Sequence, residues 1–316
     1  MRRAVVLGAA GQDGSLLSEE LAASGRAVLG LGRGAAYPWP PPPGRFEYRM
    51  LDLRDARALA SCLEGFEPDE IYHVAAVHGS SGFTYEEVWA DALAVNTGAL
   101  HTVLEHARRR NPSMHVFYAS SCKVFSGAMR GAVHLDTPAE GKCLYSITKK
   151  ASGALAEHYR AAHGLRVTVG ILFNHESERR PPGFFIPKVC RILRAALSDP
   201  SFREHVYTLA FCCDWSAADD FMRMAVRAAD LGHSGDLIFA SGQTWTGRDF
   251  VRELFARYGL DYRRHIVEDS PGEAEMFSAD AGTAWRALDF RPSRHIFDVC
   301  SALVGRPAGA ADSQNS

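Results

Sequence analysis

Ala4-Val5-Val6-Leu7-Gly8-Ala9-Ala10-Gly11-Gln12-Asp13-Gly14-Ser15, running on into Leu16 to Ala23, decides the fold. Four apolar residues in a row predict a short buried strand, and the run from Leu16 to Ala23 predicts a helix. Between them lies G-x-x-G-x-x-G. Its glycines permit a tight turn and let the backbone approach a pyrophosphate at the helix N-terminus, where free N–H groups and the helix dipole favour anions. This reading makes Gly8, Gly11, Gln12, Asp13 and Gly14 cofactor-binding residues. The alternative is an ordinary glycine-rich turn between strand and helix.

The strand and helix alternation continues outward. Strands are expected at Ala27 to Leu31, Glu70 to Ala76, Met114 to Ala119, Arg166 to Phe173 and Leu237 to Ala240. Helices are expected at Ala56 to Leu63, Tyr85 to Arg109, Tyr145 to His163, Val189 to Leu197, Thr246 to Tyr258 and Pro292 to Leu303, with another opening at Asp214-Trp215. Repeated alternation with short loops means α/β: a doubly wound Rossmann-type parallel sheet with a smaller C-terminal substrate lobe. Residues 1–173 read as the NAD(P)-binding domain and 174–306 as the substrate lobe, interleaved with the last sheet strands. The Ala/Gly/Ser-rich tail 307–316 reads as disordered. The five prolines between Tyr37 and Gly44 mark a surface loop.

At the end of the second strand no acid awaits the adenosine ribose; Arg33 stands there and would pair with a 2′-phosphate, which tilts NAD against NADP toward the latter. Asp52 and Leu53, in Asp52-Leu53-Arg54-Asp55, fit the strand end that meets adenine. Ala75 and Ala76 are small enough for close approach of the nicotinamide ribose. His73 and His78 read as structural or substrate-lining.

Bulk composition narrows the classes. The chain has 316 residues, 47% of them apolar, and a net charge of −2, so no basic field points to nucleic acid or to a membrane surface. Seven cysteines with no C-x-x-C suit neither a metal site nor a disulfide framework, and Cys212-Cys213 read as packed thiols. No apolar run reaches the length of a membrane span, and Met1-Arg2-Arg3 leads straight into a strand, with no signal peptide. A cytoplasmic enzyme is the expectation.

The chemistry gathers between Ala119 and Lys149: Ser121, Cys122 and Lys123 after a strand, then Tyr145-Ser146-Ile147-Thr148-Lys149 on a helix. Tyr145 and Lys149, four apart, share a helix face. An ammonium beside a phenol lowers its pKa, so that it can take a proton from a sugar hydroxyl as hydride leaves.

With Gly8 to Ser15 (GAAGQDGS), Leu51 to Leu53, Tyr145 to Lys149, Phe173 to Arg180 (FNHESERR) and Asp214-Trp215 in order, the chain resembles the extended short-chain dehydrogenase/reductase family, most closely its GDP-mannose 4,6-dehydratases. The resemblance implies a tightly bound, recycled NAD or NADP and a homodimer or higher homo-oligomer built on the helices after Tyr85 and Tyr145. It also implies a small-molecule nucleotide-sugar or nucleoside substrate. Such enzymes oxidise C4 of a sugar, remove the C5 proton, expel the C6 hydroxyl and return the hydride. Tyr145, Lys149 and Ser121 match the oxidation machinery, and His78, Ser80, Asn174, Glu176, Arg179 and Lys188 the substrate side.

Two departures matter. Where the family carries an acid followed by a catalytic Glu, this chain has Cys122 and Lys123. Lysine is a base only when neutral, and burial beside Lys149 would bring an amine down from its usual pKa of about 10.4. The pair resembles that of tunicamycin-type sugar 5,6-dehydratases, which leave a 5,6-alkene. The alternative is an enzyme that no longer eliminates: an epimerase or 4-reductase. Second, two arginines that hold the nucleotide diphosphate in the family are replaced by Cys213 and Ser270, which cannot reproduce an Arg–phosphate fork. Arg179, Arg180 and Lys188 remain. Together the departures point to a 5′,6′-alkene made on a hexulose nucleoside of the angustmycin type, with a nucleotide-sugar 4,6-dehydratase as the alternative.

Overall fold

The computed structural model describes residues 1–80 and 82–305. The expected tail, 307–316, lies outside the described residues. Seven parallel strands form the main sheet: β1 (Arg3–Leu7), β2 (Ala27–Gly32), β3 (Phe46–Met50), β4 (Glu70–His73), β5 (His115–Ser121), β7 (Arg166–Leu172) and β11 (Gly235–Phe239). Their order is β11-β7-β5-β4-β1-β2-β3. The order reverses between β1 and β4, which opens a crevice at the C-terminal strand ends, where α/β sheets bind ligands.

Both faces of the sheet are covered, which is why its central strands read as unbroken apolar runs. On one face, α1 (Gln12–Ala23) and α7 (Ala218–Asp230) bury Leu17, Leu21, Phe221 and Ala225. On the other, α2 (Ala56–Phe66), α4 (Ala99–Arg110) and α5 (Leu144–His163) bury Leu59, Leu63, Val103, Leu104 and Tyr159. A third cluster, around Trp215, is formed by α6 (Phe185–Ser198), α8 (Gly247–Ala256) and α10 (Ile296–Val304). Three small sheets lie beside the main one: β10 (Cys212–Ala217) between β8 (Asn174–Glu176) and β12 (Thr244–Thr246), β9 (Glu204–Val206) beside β13 (Ile266–Glu268), and β6 (Gly131–Val133), from the first domain, beside β14 (Phe277–Ala279).

Several expectations are corrected. Asp214-Trp215 does not open a helix; it lies inside β10, paired in parallel with β8 so that Trp215 stands opposite Asn174. Asp214 accepts the Ser241 amide at 2.8 Å and its hydroxyl at 2.7 Å, and Trp215 stacks on Phe185. The helix waits for Ala218, and Asp219 and Asp220 supply the negative charge its first turn favours. The strand expected to reach Ala76 ends at His73, freeing Val74–Ala76 for the crevice. The helix of Val189 begins at Phe185, because Pro187 sits in the first turn, where its missing N–H is harmless. The last helix begins at Ile296, capped by His295, and α9 (Ala281–Leu288) precedes it unforeseen.

The helix expected from Tyr85 starts only at Trp89 as α3 (Trp89–Leu93), and a π turn, Ala94–Gly98, separates it from α4. The widened turn presents backbone carbonyls to side chains. Val95 O meets His73 Nε2 at 3.0 Å, and Asn96 O accepts from the Tyr118 and Ser152 hydroxyls, each at 3.0 Å. The Asn96 side chain holds Val77 N at 2.9 Å and donates to Thr148 Oγ1 at 3.0 Å. The turn thus ties the loop after β4 to the helix that carries Tyr145 and Lys149.

Candidate active site

The glycine-rich turn has the form its sequence demands. Gly8 adopts φ +92°, and a Cβ there would lie 2.7 Å from Ala75 Cα; a Cβ on Gly14 would lie 2.1 Å from Gly8 O. Gly11 is the N-cap of α1, with no side chain capping the first turn. The open N–H groups and the clearance fit a dinucleotide pyrophosphate. Trp39, from the proline-rich loop, donates to Ala10 O at 2.9 Å and covers one side of the turn. At the far end Arg33 is exposed, Leu53 is buried, and Asp52 is held below its usual range by Arg54, with a smaller contribution from Arg33.

Asp13, Ala76, His78, Ser121, Cys122, Lys123, Tyr145, Lys149 and Asn174 line a single cavity at the strand ends, with Ser120, His175 and Arg180. Ser80, Glu176, Arg179 and Lys188 do not line it. Ser80 lies beside Gly183. Glu176 is buried next to Arg180, with an O–N separation of 3.3 Å. Arg179 turns the other way, to Glu19 and over the Trp39 ring. Lys188 reaches His205 O at 3.4 Å and Glu204 at 3.8 Å. Of the two adjacent arginines it is Arg180, stacked on Phe184 with its Cζ 3.7 Å from the ring centroid, that faces the cavity.

Lys149 is buried and donates to Ala119 O at 2.7 Å; burial brings it down to about 7, opposed by the charge of Asp13. The Tyr145 phenol goes the other way from the expectation of a lowered pKa. Burial pushes it up, and the neighbouring Ser121 hydroxyl only partly offsets this. Lys149 Nζ lies 5.6 Å from the Tyr145 ring centroid and is directed at the Ala119 carbonyl. Cys122 is buried, 3.9 Å from Asn174 Oδ1, and burial pushes its thiol up to about 11, so it holds its proton at neutral pH. Lys123, expected to be buried, is exposed on the cavity wall, because the short 3₁₀ turn Cys122–Phe125 points Cys122 inward and Lys123 out. His73 lies outside the cavity, buried beneath the π turn.

Sequence reasoning missed His175. Its Nδ1 lies 2.7 Å from Phe173 O, and its Nε2 donates to Asp13 at 3.0 and 3.1 Å. Burial alone would raise Asp13, but His175 and Arg180 bring it to about 2. Gln12 braces the pair, donating to Asp13 Oδ1 at 3.0 Å and to His175 O at 3.2 Å. Asp13, read as a cofactor ligand, therefore spends its carboxylate on His175. The one signal in the sequence was the F-N-H-E-S motif; nothing in it pointed to a partner 162 positions earlier. Among the described residues no group of three or more His, Cys, Asp or Glu could hold a metal ion, and no helix is long and apolar enough to cross a membrane.

A glycine cradle, a Tyr/Lys pair and a polar cavity thus meet at the switch point of the sheet. The chain matches the GDP-mannose 4,6 dehydratase family over residues 5–303. It is 29% identical over 310 residues to GDP-mannose 4,6 dehydratase 1 of Arabidopsis thaliana, covering 92% of this chain and 85% of that one. The fold is shared with dTDP-glucose 4,6-dehydratase from Bacillus anthracis in complex with NAD (TM-score 0.79, 16% identity, 96% of both chains). It is also shared with TunA, an NAD-dependent NDP-hexosamine 5,6-dehydratase of tunicamycin biosynthesis (TM-score 0.78, 21% identity, 96% of this chain and 97% of that one). The chain belongs to the GDP-mannose 4,6-dehydratase family of extended short-chain dehydrogenases/reductases.

Proposed function

We propose that this protein is an NAD(P)-dependent sugar dehydratase that eliminates water across C5–C6 with a thiol and an amine in place of carboxylates. The observation that carries this reading is the cavity wall: Cys122 and Lys123 share it with Tyr145 and Lys149, while its one carboxylate among the described residues, Asp13, is bound to His175. A nicotinamide cofactor held by the Gly8–Gly14 turn would supply the acceptor for the C4 hydride and the donor for its return.

Tyr145, beside Ser121, takes the proton of the sugar hydroxyl as its own phenolic proton passes on to the amine of Lys149, which burial has brought down to about 7. The ketone so formed makes the neighbouring C–H acidic. Lys123, exposed on the wall here, has to be covered by bound cofactor and substrate to take that proton as an amine; the C6–O bond breaks as Cys122 gives its proton to the departing hydroxyl, and water leaves. The ammonium of Lys123 and the thiolate of Cys122 then exchange a proton, which resets the pair. Asn174 holds the thiol in place.

The favoured substrate is a hexulose nucleoside of the angustmycin type, giving a 5′,6′-alkene. Support comes from the neighbourhood of Cys213 and Ser270. Arg248, which reaches Gly272 O at 3.1 Å, is paired with Glu268 at 2.8 Å, and Lys188 is paired with Glu204. These cations already have carboxylate partners, which a diphosphate would have to displace. Homo-oligomerisation through the helices after Tyr85 and Tyr145 belongs to the same proposal.

The test is incubation of purified protein with hexulose nucleosides and with nucleotide sugars, without added reductant. Loss of one water by mass spectrometry, with no net build-up of reduced nicotinamide, is the expected result. An isomeric product of unchanged mass means an epimerase, and stoichiometric reduced cofactor means a dehydrogenase; either overturns the reading. Lys123→Ala is expected to lower water loss about 10²- to 10⁴-fold with cofactor binding intact.

A further inference from the structure

His78 stands in the cavity with its ring stacked on that of the oxidation residue: the His78 and Tyr145 centroids are 4.5 Å apart and the planes 28° from parallel. On its other side is Tyr85, whose hydroxyl lies 2.6 Å from His78 Nδ1. That hydroxyl also accepts the Gly79 amide at 3.4 Å. Nδ1 is the acceptor left for the phenolic hydrogen among the described residues. An imidazole that accepts at one nitrogen carries its proton on the other. His78 Nε2 has no partner among the described residues, and the residue lines the cavity.

We infer that Tyr85 is a positioning residue that fixes His78 in its Nε2–H tautomer, making His78 a neutral hydrogen-bond donor to an oxygen lone pair of the substrate sugar beside Tyr145. The His78 ring, packed among Tyr145, Tyr85 and Phe184 with one edge open to the cavity, is held below an imidazole's usual range by that packing and by Arg180, Lys149 and Lys123, all of which oppose a further positive charge. With Nδ1 occupied and Nε2 already protonated, His78 is neither a base nor a cationic anchor. It recognises a hydroxyl, ring or carbonyl oxygen. The part concerning the substrate rests on the dehydratase reading; the tautomer does not.

The experiment therefore has two arms. The first is nitrogen NMR of the full-length, cofactor-loaded protein with labelled histidine, the His78 signals being identified by their loss in His78→Gln. Expected at neutral pH is a pyridine-type Nδ1 and a pyrrole-type Nε2–H in the wild type, with Tyr85→Phe losing this single-tautomer pattern. A proton on Nδ1, a charged ring, or an unchanged pattern in Tyr85→Phe overturns the inference. The wild-type spectrum decides the tautomer even if Tyr85→Phe fails to fold. In the second arm, with whichever sugar the enzyme converts, Tyr85→Phe raises KM about 3- to 10-fold while kcat stays within about twofold. His78→Gln, which keeps a donor, is milder than His78→Leu. A fall in kcat with KM unchanged would refute the recognition role. Absence of any dehydration, with the tautomer as stated, would count against the dehydratase reading alone.

Discussion

Replacing Asp13 by Asn tests the electrostatic tie between the cofactor turn and the substrate lobe without any substrate. Both ring nitrogens of His175 face acceptors, the Phe173 carbonyl at 2.7 Å and the Asp13 carboxylate at 3.0 Å, so the ring is doubly protonated. The fall of Asp13 from 3.8 to about 2 is worth about 2 kcal/mol of folding stability at neutral pH. With an unfolding entropy of roughly 2.1 cal/mol/K per residue, a chain of this size should lose about 3 °C in Tm. The sign differs on the two limbs. A depressed carboxylate contributes above its unfolded pKa, and its contribution is lost as pH falls toward 2. His175 is raised, burial being outweighed by Asp13, so its contribution is full below an imidazole's usual 6.5 and is lost as pH rises through its folded pKa. The gap between wild type and Asp13→Asn should thus be widest between about pH 4 and 6.5. Scanning calorimetry at pH 4.5, 6, 8 and 9, at equal cofactor loading, measures it. A gap that is absent, or constant from pH 4.5 to 9, would refute the ion-pair account.

Lys149→Met should abolish hydride transfer yet stabilise the cofactor-free protein at pH 7, because the amine must shed its proton on burial: the fall from 10.5 to about 7 corresponds to about 4 kcal/mol, from which loss of the bond to Ala119 O takes about 1–2. That advantage should shrink as pH rises toward 10.5 and vanish above it, where the wild-type amine is neutral in both states; urea titrations at pH 7 and 10 compare them. Gly14→Ala brings a methyl within 2.1 Å of a backbone oxygen, so it should lower stability by about 2 kcal/mol or more, and the protein should no longer co-purify with nicotinamide cofactor. Cys122→Ala should slow water loss about 10²- to 10⁴-fold while reduced cofactor accumulates in the first turnover, read by absorbance in stopped flow.

The parts of this protein legible in its sequence are those where one short segment carries the whole signal. Gly8 to Ser15 needs nothing from elsewhere to demand a tight turn at a helix start, and Tyr145 and Lys149 meet because helical geometry makes them neighbours. Asp214-Trp215 failed because two residues carry no period: burial and the link to Ser241 make them strand, and both depend on distant chain. Which of Arg179 and Arg180 enters the cavity is set by the turn after β8, not by their chemistry. The Asp13–His175 pair joins residues from the two ends of the parallel sheet's construction, and no spacing announces it. The exposure of Lys123 follows from a single 3₁₀ turn that its sequence does not distinguish from a strand extension.

The π turn at Ala94–Gly98 has a consequence for how this helix can change length. A π turn is an α-helix holding one surplus residue. Deleting that residue would restore ordinary winding and, because the surplus is absorbed within the turn, would leave the helix after it in phase. Leu100, Val103 and Leu104 would go on facing the sheet, but the Asn96 carbonyl would be drawn back into the ladder, away from Tyr118 and Ser152. The surplus residue therefore separates two duties: the core does not depend on it, while the support of the helix that carries Lys149 does, so its loss should register in activity before it registers in stability.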